Sequence, residues 1–180
     1  MHQPDIKRCK SRKESYVVIG SIFVVIAIAI VVLLFVQAGR RERVVGKDIA
    51  LESITEFYYT HSSSTYPPDY QRYRFYVEEG TYKFYHEKRE GTDWPLTESH
   101  ITGSGSIELS EKEWAEFLNL LKGGAVKKRN PSFESGGSGP WLYLYWKGDR
   151  SKYQEFSFAS EEMRSSFEHI SMELRDKSLE

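Results

Sequence analysis

Cysteine is almost missing from this chain of 180 residues: Cys9 is the only one. No disulfide can form within the chain, so its folded part must be held by its core and its backbone hydrogen bonds. No Asn-x-Ser/Thr sequon occurs, because Asn119 is followed by Leu-Leu and Asn130 by Pro. That excludes N-glycan attachment, and a cysteine-free, sequon-free domain fits a bacterial envelope better than an animal cell surface. Cys9 does not follow an apolar run, as a bacterial lipoprotein cysteine would, and reads as an idle thiol. Lipidation is the alternative in a eukaryotic cell.

Chemical motifs are equally scarce. His61, His86, His100 and His169 are scattered, and His86-x-x-x-Glu90 is no zinc signature, so neither metal nor cofactor is expected. Ser104 and Ser138 each lie between glycines without completing Gly-x-Ser-x-Gly. Gly136-Gly137-Ser138-Gly139 lacks the Lys-Ser/Thr of a P-loop and leads into a strand, where no helix N-terminus would support a phosphate. Of the paired acids, Glu78-Glu79 would point to opposite faces of a strand, and Glu161-Glu162 suits the first turn of a helix. No catalytic motif emerges.

What the chain does have is one uncharged apolar run over residues 16–36. It matches the ~20 residues a helix needs to cross a ~30 Å hydrocarbon core. The organisation that follows is a basic stub at 1–15, a transmembrane helix at 16–36, a basic linker at 37–47 and a domain at 48–180. A cleaved signal peptide is the competing reading, because Val36-Gln37-Ala38 offers a small-x-small site that would release a chain starting at Gly39. Signal h-regions span only ~7–15 residues, which favours the anchor.

Charge divides at the same place. Up to Lys47 there are nine Lys/Arg against three acids; from Asp48 onward there are sixteen against twenty-three. The net charge of −1 conceals that split. Five basic residues precede the apolar run and four follow it closely, so the positive-inside rule alone barely orients it. The short stub and long acidic domain favour a cytoplasmic N-terminus with the domain outside. The bilayer is then the first partner, with a basic stub suited to an anionic inner leaflet. The acidic domain excludes nucleic acid as a ligand.

The domain is rich in aromatics: of 26 Phe, Trp and Tyr, only Tyr16, Phe23 and Phe35 lie in the apolar run. Short alternating aromatic and β-branched runs indicate strands. A two-residue turn at Glu79-Gly80 within residues 70–87 sets Val77 opposite Tyr82, Phe75 opposite Phe84 and Tyr73 opposite His86 on one face. Arg74 opposite Tyr85 and Arg72 opposite Glu87 occupy the other. Residues 49–60 read as a strand ended by the polar loop His61-Ser62-Ser63-Ser64-Thr65. Residues 98–109 read as another, broken near Gly103-Ser104-Gly105. Ser110-Glu111-Lys112-Glu113 is a capping box opening a helix with Trp114, Phe117, Leu118 and Leu121 on one face and Gly123-Gly124 at its end. A short strand follows at 125–128, its Lys127-Lys128-Arg129 suited to a solvated edge. Residues 141–146 and 152–158 form a hairpin, and Ser160 caps a helix striped by Met163, Phe167, Ile170 and Leu174. The fold class is α+β: a mainly antiparallel sheet with two helices packed on one face.

In the second hairpin a turn at Gly148-Asp149-Arg150 sets Leu142 opposite Phe156 and Tyr145 opposite Tyr153. Leu142, Leu144, Trp146, Phe156 and Phe158 then face the helices. Trp141, Tyr143, Tyr145 and Tyr153 line the other side: either a covered layer, or an amphipathic platform for a partner.

The segments Leu109-Ser110-Glu111-Lys112-Glu113-Trp114 and Gly139-Pro140-Trp141-Leu142-Tyr143-Leu144-Tyr145-Trp146, with the stub-span-domain plan, resemble uncharacterised single-pass proteins of low-GC Gram-positive bacteria. That resemblance covers about two-thirds of the chain and implies the same architecture but no known activity. Two function classes follow. One is an envelope binding domain for a protein or a cell-wall glycan; the other is an envelope hydrolase using carboxylates or histidines. Assembly through the span ranks last, since Gly20, Ala27 and Ala29 give little small-xxx-small pattern.

Overall fold

The computed structural model describes residues 6–40, 42–64, 66–128, 140–148 and 154–179. They form two compact units, Met1–Arg41 and Glu42–Glu180. The first contains one helix, α1 (Ile6–Arg40). Within it Ile19–Gln37 has a mean hydropathy of 3.3 and no buried residue. This is an apolar helix long enough to cross a bilayer, as an anchor or as a signal sequence.

The second unit is α+β. Its elements are β1 (Arg43–Val44), β2 (Ile54–Ser63), β3 (Asp69–Glu78), β4 (Thr81–Glu90), β5 (Ile101–Glu108), α2 (Glu111–Leu121), β6 (Ala125–Lys127), β7 (Trp141–Trp146), β8 (Gln154–Ser157) and α3 (Glu161–Ser178). The strands make one sheet in the order β1-β6-β8-β7-β2-β3-β4-β5, and every ladder is antiparallel.

The β3–β4 hairpin has the expected register: Val77 faces Tyr82, Phe75 faces Phe84, Tyr73 faces His86 and Arg72 faces Glu87. Its turn needs left-handed backbone at both central residues. Glu79 at φ 52° and Gly80 at φ 81° supply it. The β7–β8 register also matches, with Tyr143 opposite Glu155 and Leu144 opposite Gln154.

Helix α2 begins at the capping box. Ser110 Oγ accepts from the Glu113 N–H, and Glu113 Oε2 accepts from the Ser110 N–H at 2.8 Å, an arrangement worth about 1 kcal/mol. Lys177 near the end of α3 donates to Glu113 at 2.9 Å and ties the two helices together. Lys177 and the Ser110 donors hold the Glu113 carboxyl down at about 2.

Both helices cover one face of the sheet. Phe57, Phe75, Phe84, Leu144 and Phe156 from the strands pack against Trp114, Phe117, Leu121, Phe167 and Leu174 from the helices. The Tyr82 ring stacks on Trp114 at 4.9 Å, and Phe57 meets Phe167 edge-on at 5.3 Å. Gly105 lets the end of α3 approach the sheet closely, since a Cβ there would lie 2.7 Å from the Ser178 carbonyl oxygen.

Four details differ from the sequence reading. Residues 49–60 are not one strand: Leu51–Ser53 is a 3-10 turn, and β2 continues through His61-Ser62-Ser63. Backbone pairing of Ser63 with Asp69 outweighs the turn preference of that serine run. The linker expected at 37–47 partly belongs to the domain, because Arg43 and Val44 pair with β6 and Val45 is buried. Strand β5 starts only at Ile101, after a 3-10 turn over Glu98–His100, and runs unbroken through Gly103-Ser104-Gly105; its irregularity is at Thr102, where Lys88 faces Gly103 and Arg89 faces Ile101. Finally, β6 is not an edge. β1 covers it, and Lys127 pairs with Glu42 at 3.5 Å.

Candidate functional site

The face away from the helices is polar and aromatic. Buried Glu56 receives Arg74 at 2.6 Å, and buried Glu87 receives Arg89 at 2.5 Å. Buried charges persist only when paired in this way. The guanidinium groups also lie over rings: Arg74 over Tyr76 at 4.1 Å, Arg89 over Tyr70 at 4.5 Å, and Arg72 over Tyr58 at 5.8 Å. Tyr85 donates to Glu87 at 2.8 Å, and burial together with that bond pushes its phenol up to about 12.

Trp141, Tyr143 and Tyr145 lie on this face, as their register requires. Tyr143 is 6% and Tyr145 8% exposed, while Trp141 is half-buried. Their strand is interior, between β8 and β2, and the Tyr58 ring lies 5.0 Å from Tyr143 and 6.2 Å from Tyr145. Tyr153 and Gly136-Gly137-Ser138-Gly139 lie outside the described residues. Two of the four platform residues are therefore packed side chains, not open contact surface.

A different site lies on the helix side, where β2 and β3 pass under α3. Tyr59, His61, Gln71, Tyr73, Glu168 and Met172 line a cavity of about 180 Å³ that opens to solvent. Strand alternation places the first four together: Tyr59 pairs with Tyr73, and His61 with Gln71. Tyr59 donates to Glu168 at 2.9 Å, and Tyr73 to Gln71 at 2.8 Å. Burial raises both phenols above their ordinary range. The Glu168 bond raises Tyr59 further, while Arg175 opposes the rise at Tyr73. Both therefore remain O–H donors at neutral pH. His61 Nδ1 sits 3.3 Å from Asp69 Oδ2, slightly beyond the ~2.7–3.2 Å of a strong N–H···O bond. Among the described residues no group of three His, Cys, Asp or Glu converges as a metal set.

None of these cavity residues stands out in the sequence. Tyr59 and Tyr73 were legible as strand residues, but reading His61 as a loop hid its place beside Gln71. Nothing in the sequence brings Glu168 to them.

His86 lies nearby, 2% exposed and stacked 5.9 Å from Tyr73. Neither ring nitrogen has a hydrogen-bond partner among the described residues. Burial, and then Arg175 on α3, hold its pKa below the ordinary 6.5, while Glu87 and Asp176 partly offset this and Lys88 adds to it. The unfolded chain thus takes up this proton more readily than the folded one. Stability should be full above pH 6.5, fall as the pH drops below it, and be lost through the lower folded pKa. Urea unfolding between pH 8 and 5 checks this. His86→Leu should flatten that slope, and an unchanged slope would show that the imidazole is not the group responsible.

Comparisons with protein families, with curated proteins and with solved structures return no match for this chain.

Proposed function

We propose that this chain is a membrane-anchored binding module of the cell envelope. Its N-terminus is cytoplasmic, and its C-terminal domain outside engages a hydroxyl-rich ligand such as one residue of a cell-wall glycan. The cavity under α3 carries this reading. Five of its six lining residues bear hydrogen-bonding groups, both phenols and carboxylate among them, with Met172 supplying an apolar rim. Its volume of about 180 Å³ is below the ~300–1,000 Å³ of pockets for drug-sized ligands. It suits a single ring rather than an enclosed polymer. The acidic balance of the domain disfavours anionic ligands.

The test is calorimetric titration of the full chain in detergent with soluble uncharged glycan fragments, short oligomers of N-acetylglucosamine. Saturable binding is expected, and Met172→Trp should abolish it by filling the cavity, at a position already 46% exposed. Heat that never saturates would sink the glycan reading. Protease added to intact cells should remove the C-terminal domain while an N-terminal tag stays protected. A soluble product starting at Gly39 would instead make the apolar helix a signal.

The second reading, an envelope hydrolase, is favoured by the His61–Asp69 contact at the cavity mouth, the pairing that orients a general base. It would show as shortening of the same fragments, abolished by His61→Ala.

A further inference from the structure

The two edges of the sheet are unlike. One ends in β1, two residues long, beginning with Arg43 and preceded by Glu42, which is how proteins discourage strand addition. The other ends in β5, eight residues carrying neither Lys, Arg nor Pro. Beyond it no strand follows among the described residues. Leu109 N–H donates to the Tyr82 carbonyl at 2.8 Å. By the alternation of an antiparallel ladder, Gly103, Gly105 and Ile107 then direct their backbone groups at β4. Ser104 and Ser106 direct theirs outward, and no backbone partner for them occurs among the described residues. An edge so long, unpaired and charged only at its last residue, Glu108, is a template for another strand.

The sequence of that edge says which strand. Ile101-Thr102-Gly103-Ser104-Gly105-Ser106-Ile107 reads nearly the same in both directions about Ser104. We propose that β5 pairs antiparallel with β5 of a second copy of this chain, about a two-fold axis through Ser104. Ile101 then faces Ile107 of the other copy, Thr102 faces Ser106, Gly103 faces Gly105, and Ser104 faces itself. Such an isologous contact closes at a dimer. Ser104 lies at an outward-bonding position, so the axial pair exchanges both its N–H···O bonds. The bulge at Thr102 shortens the regular ladder to its centre. What carries the contact is the open backbone edge and its self-complementary order, not the smallness of the side chains.

One short strand pair buries less than the ~1,200–2,000 Å² of a stable interface. The dimer is therefore weak in dilute solution, and confining both copies to one membrane, as proposed above, raises their effective concentration. This contact does not depend on the cavity or its ligand.

The test uses the full chain in vesicles with Cys9→Ser. Ser104→Cys should cross-link between chains with a short bifunctional thiol reagent, because a hydrogen-bonded antiparallel pair sets its Cα atoms about 5.5 Å apart and points both side chains to the same face. Glu108→Cys should not, since its two copies would lie about 27 Å apart at ~3.4 Å per residue. Equal cross-linking at both positions, or none at Ser104, would overturn the proposal. In the same vesicles, association read by energy transfer between donor- and acceptor-labelled chains should weaken up to about fivefold with Ser104→Lys, which sets like charges directly opposite. Ser104 is exposed, so the variant is expected to fold with an unchanged melting curve. Unchanged transfer would place the contact elsewhere on the chain.

Discussion

Replacing Phe117 by alanine should destabilise the C-terminal domain by about 3–5 kcal/mol. The ring has no exposed surface. It lies flat on Phe75, with centroids 4.0 Å apart and planes 3° apart, and it also touches Trp114 at 5.1 Å and Phe57 at 5.8 Å. These neighbours come from a helix and two central strands whose backbones are fixed by their own hydrogen bonds. They cannot close over the space that the ring leaves. Domains are typically stable by only ~5–15 kcal/mol, so this one substitution would remove much of the total. Urea unfolding measures it: the midpoint should fall while the slope with denaturant stays the same. A loss under 1 kcal/mol would mean that α2 does not seal the centre of the sheet.

The double substitution Tyr143→Ala with Tyr145→Ala should unfold the domain outright. As an open platform these residues could be removed at little cost to stability. The structure has them buried on an interior strand, sharing the Tyr58 ring between them. Losing one large buried aromatic costs about 3–5 kcal/mol. The two losses do not add simply because both side chains use Tyr58, but even partial addition reaches the stability of an ordinary domain. Circular dichroism during a thermal melt decides it. A folded double variant that had lost only a partner would restore the platform. The paired Tyr→Phe variants keep the rings and should remain folded.

The sequence alone determined those features whose causes are local. The apolar helix needs only an uncharged run of sufficient length. The β3–β4 hairpin follows from a two-residue turn and a period-two pattern that only one register satisfies, since a slip by one would bring Arg72 and Arg74 into the core. The start of α2 follows from Ser110 and Glu113, three residues apart. The β7–β8 register follows from matching Leu142, Leu144 and Trp146 with Phe156 and Phe158. From these the α+β class was legible in the sequence.

Only the tertiary structure decided what depends on contacts between distant segments. Strand β2 lies between β3 and β7, and nothing in residues 54–63 names β7 as the neighbour. That placement buries Tyr143 and Tyr145, because it sets Tyr58 beside them. It also carries His61 past an apparent loop into the wall of the cavity, where α3 adds Glu168 from more than a hundred residues away. A bulge between Ile54 and Glu56 lets both Ile54 and Phe57 face the core, which strict alternation forbids. Burial of a face is a property of everything packed on it. A strand's own residues fix which side each of them takes, and the rest of the chain fixes what lies on that side.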